Sequence, residues 1–284
     1  MKVLVTGYNG QLGYDVARLL ENKGEEVLGA TREDFDLTDQ EKIKCVIGLF
    51  KPDVVIHCAA YTLVDKAEDN KELCYAVNVL GSRYLAEACK EVNAKTVYIS
   101  TDYVFNGEKN DPYEVDDYIH PVNYYGETKA QGEFEVAKTV PQHFIIRVSW
   151  VFGKNGNNFV KTMLKLAETR SELNVVGDQY GSPTYTKDLS ELISDMIYTD
   201  KYGIYHASNE GSCSWSEFAE AIFEYKGLSV KVNNIPTVDY PTRAKRPLNS
   251  IMSKENLLKN GFSKLPYWRD ALKRYLNDIQ LNNQ

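Results

Sequence analysis

A run of strand-forming residues, Lys2-Val3-Leu4-Val5-Thr6, passes straight into Gly7-Tyr8-Asn9-Gly10-Gln11-Leu12-Gly13, three glycines spaced GxxGxxG. Residues 11–23 then place Leu12, Val16, Leu19 and Leu20 on one helical stripe until Gly24 ends it. A strand, glycine turn and helix in this order bring backbone amides to a helix N-terminus with no Cβ in the way, as a dinucleotide pyrophosphate requires. Gly7 and Gly10 allow the approach, Gln11 and Leu12 open the helix beside it, and Gly13 allows helix and strand to pack closely. Glycines at this spacing also serve as plain turn chemistry. Their place between the first strand and the first helix makes the nucleotide reading the stronger one.

The next 130 residues repeat the alternation of short apolar runs and amphipathic stretches that feeds a parallel sheet. Strands are expected at 27–30, 54–56, 96–100 and 144–148, and helices at 39–50, 73–93 and 126–138. After residue 153 the rhythm shifts to helices with longer polar connections, at 159–169, 186–198, 214–225 and 268–279. The expected architecture is α/β, a Rossmann-type doubly wound parallel sheet with a smaller, mainly helical C-terminal substrate part. Residues 1–150 would form the dinucleotide-binding domain, with segments near 172–206 returning to it, and 151–284 a discontinuous substrate-binding part. The acidic stretch 106–123 reads as a solvated loop.

Composition narrows the partners. The formal charge is −7, from 33 Lys and Arg against 40 Asp and Glu, and no basic run exceeds two residues, so nucleic acid and anionic membrane surfaces are disfavoured. The opening apolar run is too short for a signal sequence or a membrane span. Five scattered cysteines without a CxxC pair read as buried thiols in a reducing compartment, and the expected location is cytoplasmic. The four histidines form no metal-binding spacing, and structural or surface roles are expected for them.

The end of the second strand distinguishes the two nicotinamide dinucleotides, because an acid there pairs with a ribose hydroxyl and an arginine accommodates a 2′-phosphate. It reads Ala30-Thr31-Arg32, which favours NADP(H) through Thr31 and Arg32, with NAD(H) left open by the neighbouring Glu33 and Asp34. Asp36 and Leu37, at the end of an expected third strand, would flank the adenine. Ala59, Ala60 and Tyr61 follow the next strand, where small residues let a cofactor lie close.

Tyr125-Gly126-Glu127-Thr128-Lys129 puts a phenol and an ammonium on one helical face, and a nearby cation is expected to lower the phenol toward a working range. Upstream, Thr101 ends a parallel strand and can donate a hydrogen bond to a carbonyl. Together, GxxGxxG, the Thr after the strand and YxxxK resemble the extended short-chain dehydrogenase/reductase family over the whole chain. Narrower motifs, Ser100-Thr101-Asp102-Tyr103-Val104-Phe105, Ser149-Trp150-Val151-Phe152, Asn157-Asn158-Phe159, Asp178-Gln179-Tyr180-Gly181-Ser182-Pro183-Thr184 and Arg246-Pro247-Leu248-Asn249-Ser250, resemble its dTDP-sugar ketoreductases.

That resemblance implies reduction of the C4 ketone of dTDP-4-dehydro-L-rhamnose by NADPH or NADH. Tyr125 would give the proton, Lys129 would hold the nicotinamide ribose and tune Tyr125, and Thr101 would orient the ketone. Asp102, Tyr103 and Trp150 would meet the sugar or nucleotide, with Trp150 equally able to serve as core. Arg246 would meet the pyrophosphate or else only fix the C-terminal segment. Related dehydratases carry Glu where Tyr103 stands, so water loss is disfavoured. Lys187 occupies the position of a dimer-bridging metal ligand in some relatives, so no metal is assigned and a monomer or weak homodimer is expected. A nucleotide-sugar 4-epimerase and a non-catalytic NADP-binding regulatory subunit are the competing readings.

Overall fold

The computed structural model describes residues 1–280. Its centre is a sheet of six parallel strands, β1 (Lys2–Thr6), β2 (Glu26–Ala30), β3 (Val54–His57), β4 (Lys95–Thr101), β5 (His143–Val148) and β6 (Gly203–His206), in the spatial order β6-β5-β4-β3-β1-β2. A parallel sheet is covered on both faces, so its strands read as unbroken apolar runs. In β1, Val3 and Val5 join a core with Val16 and Leu20 of α1 (Gln11–Asn22), whereas Leu4 joins the opposite core with Ile43 and Ile47 of α2 (Gln40–Phe50). Helices α3 (Gly81–Val92) and α4 (Tyr124–Thr139) complete the second face.

The strand expected before residue 37 does not form: the chain turns after Ala30, and the runs counted from sequence as fourth and fifth are β3 and β4. Asp36 accepts from the Thr38 amide and hydroxyl at 2.9 and 2.8 Å, a side-chain turn that competes with strand pairing. The stretch 73–93 also differs, because a π-helical turn, Ala76–Leu80, interrupts it ahead of α3.

Beyond residue 150 the chain builds α5 (Phe159–Ala167), α6 (Thr186–Ile197), α7 (Trp215–Lys226) and α8 (Trp268–Gln280). Helix α6 packs through Leu189 and Ile193 on the same core as α1, and β6 closes the sheet edge beside β5. The other helices surround a separate core of Phe152, Val160, Phe218, Trp268 and Tyr275. The loop 106–123 is partly anchored, with Tyr113 buried and stacked on Phe105 at 4.2 Å between centroids. Of the five free cysteines, Cys74, Cys89 and Cys213 are buried, Cys58 is half-buried, and Cys45 is exposed, contrary to the expectation of five buried thiols. Among the described residues no helix is long and apolar enough to cross a membrane.

Candidate active site

Open α/β sheets bind ligands at the carboxyl ends of their strands. Here those ends open into a cleft of about 930 Å³, lined by the turns after β1, β2, β3 and β4, by Tyr125 and Lys129 of α4, and by Trp150 beyond β5. Its floor is backbone. Gly7 has φ +66°, and a Cβ there would lie 2.9 Å from the Ala59 amide nitrogen, while a Cβ on Gly13 would lie 2.2 Å from the Gly7 carbonyl oxygen. Gly7, Gly10, Gln11 and Leu12 face the cleft, whereas Gly13 sits behind it as the contact between α1 and the turn.

Thr31, Arg32, Asp36, Leu37, Ala59, Ala60 and Tyr61 line the same cleft. The Arg32 side chain is 77% exposed, with only a long 3.5 Å contact to Asp36, so its guanidinium is available to an anion. Asp34 is engaged by the Thr31 amide and hydroxyl at 3.1 and 2.7 Å, and neither it nor Glu33 lines the cleft. Gln11 ties the glycine turn to the later chain, accepting from the Gly153 amide at 2.9 Å and from Asn158 at 3.0 Å.

At the deep end, Thr101 donates to Asp102 Oδ1 at 2.9 Å, and Asp102 Oδ2 is buried with no hydrogen-bond partner. Burial pushes the Asp102 carboxyl up to about 6. The Ser250 and Thr101 hydroxyls oppose that rise. Burial, followed by the charge of Asp102, raises the Tyr125 phenol above its usual range, with the Thr101 hydroxyl opposing. This reverses the expectation that Lys129 lowers Tyr125. The Lys129 ammonium instead donates to the Ile99 carbonyl at 2.7 Å and lies over the Tyr98 ring at 4.0 Å, and burial brings it down to about 7. Tyr103 meets the Tyr125 ring edge-on at 6.1 Å.

Trp150 adopts φ +47°, a left-handed conformation that costs a non-glycine residue energy. Its indole is held between Gly181, whose missing Cβ leaves room, and Trp215, stacked at 3.5 Å and 9°. Trp150 therefore both lines the cleft and packs on its wall. Arg246 is not brought into the cleft: its guanidinium pairs with Asp65 at 2.6 and 3.0 Å, pinning the 244–246 segment, and lines a second cavity of about 530 Å³. The pairing with Asp65 is the second of the two roles expected for Arg246, fixing the C-terminal segment.

Two lining or supporting residues escaped the sequence reading. Trp215 comes from α7, in register through the capping box of Ser214 and Glu217, and its distance along the chain hides its pairing with Trp150. Asn78, within the π-helical turn, accepts from the Tyr61 amide at 2.8 Å and donates to the Tyr61 carbonyl and the Thr128 hydroxyl at 3.2 and 3.0 Å. A buried Asn amid Val77, Val79 and Leu80 was its signal.

The family described as RmlD substrate binding domain matches residues 1–281. The spore coat polysaccharide biosynthesis protein SpsK of Bacillus subtilis (strain 168) is 44% identical over 277 residues, spanning 98% of this chain and 97% of that protein. A dTDP-4-dehydrorhamnose reductase of Aggregatibacter actinomycetemcomitans is 44% identical over 286 residues, 96% of this chain and 97% of its own length. The crystal structure of a dTDP-4-dehydrorhamnose reductase from Bacillus anthracis str. Ames, in complex with NADP, is 42% identical and superposes with a TM-score of 0.96 over 98% of this chain and 99% of that one. The chain belongs to the RmlD substrate binding domain family, together with these dTDP-4-dehydrorhamnose reductases.

Proposed function

We infer that the chain is an NADPH-dependent dTDP-4-dehydrorhamnose reductase, converting the C4 ketone of dTDP-4-dehydro-L-rhamnose to the alcohol of dTDP-L-rhamnose. The observation that carries this reading is the convergence of Thr101, Tyr125 and Lys129 at the deep end of a cleft whose floor is the glycine turn. The residues present fit a dinucleotide: Gly7 and Gly10 line the cleft where a Cβ would press on the Ala59 and Gly7 backbone, and Arg32, exposed and held by one long contact to Asp36, can turn to a 2′-phosphate. Gly7, Gly10, Gln11 and Leu12 would hold the pyrophosphate, Thr31, Arg32, Asp36 and Leu37 the adenosine end, and Ala59, Ala60, Tyr61 and Lys129 the nicotinamide end. Bound there, the reduced nicotinamide supplies a hydride to carbon.

Within the chain's own contribution, Thr101 redirects its one hydroxyl proton from Asp102 Oδ1 to the ketone oxygen and fixes its direction. Tyr125 gives its proton to that oxygen as negative charge develops, and the raised phenol range keeps the proton in place until then. Lys129, brought down to about 7 by burial, is the amine that would hold the nicotinamide ribose. Asp102 lines the cleft beside Thr101, where it would meet the sugar, and Trp150, backed by Trp215, offers an apolar face to the deoxyhexose. Tyr103, where a dehydratase would carry an acid, leaves no base for water loss. We take the cytoplasm as the compartment, on the five free cysteines.

The test is loss of NADPH absorbance when purified protein meets dTDP-4-dehydrorhamnose, with dTDP-glucose as control. Stoichiometric oxidation with the first and none with the second is expected. Tightly bound NAD surviving purification, with no net oxidation of NADPH, would mean epimerisation instead, and inertness towards every 4-keto nucleotide sugar would mean a regulatory subunit.

A further inference from the structure

Helix α4 continues its active face one turn beyond Lys129, to Glu133, so that Tyr125, Lys129 and Glu133 follow one another at four-residue spacing. Glu133 is 4% exposed, lies outside the cleft lining and reaches it through a hydrogen bond from Ser100. Its Oε1 accepts from the Ser100 hydroxyl at 2.5 Å and from Arg147 Nε at 2.9 Å, and its Oε2 accepts from Arg147 at 2.8 Å. Lys129 meanwhile donates to the carbonyl of Ile99. Helix and strand are thus clamped by two adjacent rungs, Lys129 on Ile99 and Glu133 on Ser100, immediately before Thr101. Gly132 lies between them, where a Cβ would meet the Tyr98 hydroxyl at 2.2 Å, so the helix approaches β4 too closely for any larger residue without a shift.

We propose that Glu133 is a positioning residue for ketone reduction: from beneath the cleft, one helical turn past Lys129 and bonded to Ser100 and Arg147, it holds the end of β4 in register and sets the charge environment of the Lys129 amine. The inference rests on the reductase reading for its kinetic consequence only. Lys129 is faced by the Cys58 and Cys74 thiols, both held neutral by burial, by the His57 ring, likewise held neutral by burial, by the Tyr98 phenol, and by Glu133 and Tyr125 on its own helix. Among the described residues Glu133 is the one carboxylate acting on it. Glu133 in turn is faced by Arg147 of β5, by Ser100 and Tyr98 of β4, and, through Arg147, by the neutral ring of His206. Removing its charge leaves two buried cations without an anion between them, and the lysine is the one that can shed its proton.

The experiment labels lysine with 13C at Cε, assigns the Lys129 signal by its loss in Lys129→Met, and titrates it in wild type and Glu133→Gln. In the variant the Lys129 midpoint should fall by about one pH unit, the lower end for losing a close opposite charge. The alkaline limb of kcat for dTDP-4-dehydrorhamnose reduction should move down with it while the KM for NADPH at acid pH stays near wild type. Glu133→Gln combined with Arg147→Met removes both charges of the pair and guards against a single variant that fails to fold. With the Arg147 cation gone as well, the midpoint should still lie below wild type but by less than in Glu133→Gln, because Glu133 is one turn from Lys129 on the same helix and Arg147 stands behind it on β5. A folded single or double variant with the wild-type Lys129 midpoint overturns the proposal. The titration is read without turnover, so a chain that reduces no 4-keto sugar would sink the reductase reading and leave the Lys129 midpoint to decide this one.

Discussion

The two ends of the cleft are built from different materials. The cofactor end is backbone: a turn at positive φ, a glycine against a carbonyl, and small residues after β3. The chemical end is side chain: a carboxyl with one unpartnered oxygen, a phenol raised by burial, a lysine brought down to about 7, and an indole pair. Backbone requirements leave few residue choices, and a defect there is a defect of fold. Side-chain requirements are met by groups drawn from distant elements, and a defect there spares the fold and removes the chemistry.

The sharpest way to break this contrast is Tyr125→Phe, which keeps the ring and its edge contact with Tyr103. It should lower kcat by about 10²–10⁴, the range for losing a general acid, with circular dichroism and NADPH affinity unchanged. Turnover within about threefold of wild type in the folded variant would show that the proton comes from elsewhere. Gly13→Ala should do the opposite. Its Cβ would meet the Gly7 carbonyl at 2.2 Å, so α1 must move, at about 2–3 kcal/mol of stability, and NADPH titration by fluorescence should weaken while kcat at saturating NADPH is largely kept. A Gly13→Ala protein that melts with wild type would remove the structural basis of the floor.

Asp102→Asn tests whether the chemical end carries a cost in stability. The native state holds the Asp102 proton up to about pH 6, well above the ordinary carboxylate range of an unfolded chain, so this group reduces stability as pH rises through that window and the full cost is present above it. The neutral variant should therefore melt higher at pH 8, by about 1–2 kcal/mol after allowing for its unpartnered amide, and match wild type near pH 4. It should also lose kcat/KM for the sugar. Equal melting at pH 8 would mean the carboxylate is not penalised there. The smallest effect belongs to Arg32→Ala, which should narrow the preference for NADPH over NADH by roughly 1–2 kcal/mol in kcat/KM, the scale of a charge-assisted contact on an exposed side chain. A wild-type enzyme preferring NADH would undo the assignment of Arg32.

The same contrast explains what could be read from the chain. The glycine turn, the strand ends and the YxxxK face were legible because each is a local constraint on backbone or helical spacing. The loop 31–39 was misread as containing a strand because side-chain turns at Asp34 and Asp36 overrode its pattern. The depression of Lys129 and the raised Tyr125 were hidden, since burial is a property of the assembled fold. Arg246 looked like a phosphate ligand by chemistry, but its partner, Asp65, lies on the other side of the chain's order. Trp215 was invisible for the same reason: nothing near it in sequence announces Trp150.

Strand β6 and helix α6, which close the edge of β5 and cover α1, come from residues 186–206. When residue 150 leaves the ribosome, the backbone edge of β5 is unpaired and the apolar stripe of Val16 and Leu20 lacks Leu189 and Ile193. At roughly 5–20 residues per second, the missing cover follows only about 3–11 s later. The nascent dinucleotide half must wait, with an open parallel edge, for a piece of its own core that is encoded beyond Trp150, and a chain truncated before residue 206 should aggregate and not stand as a free nucleotide-binding domain.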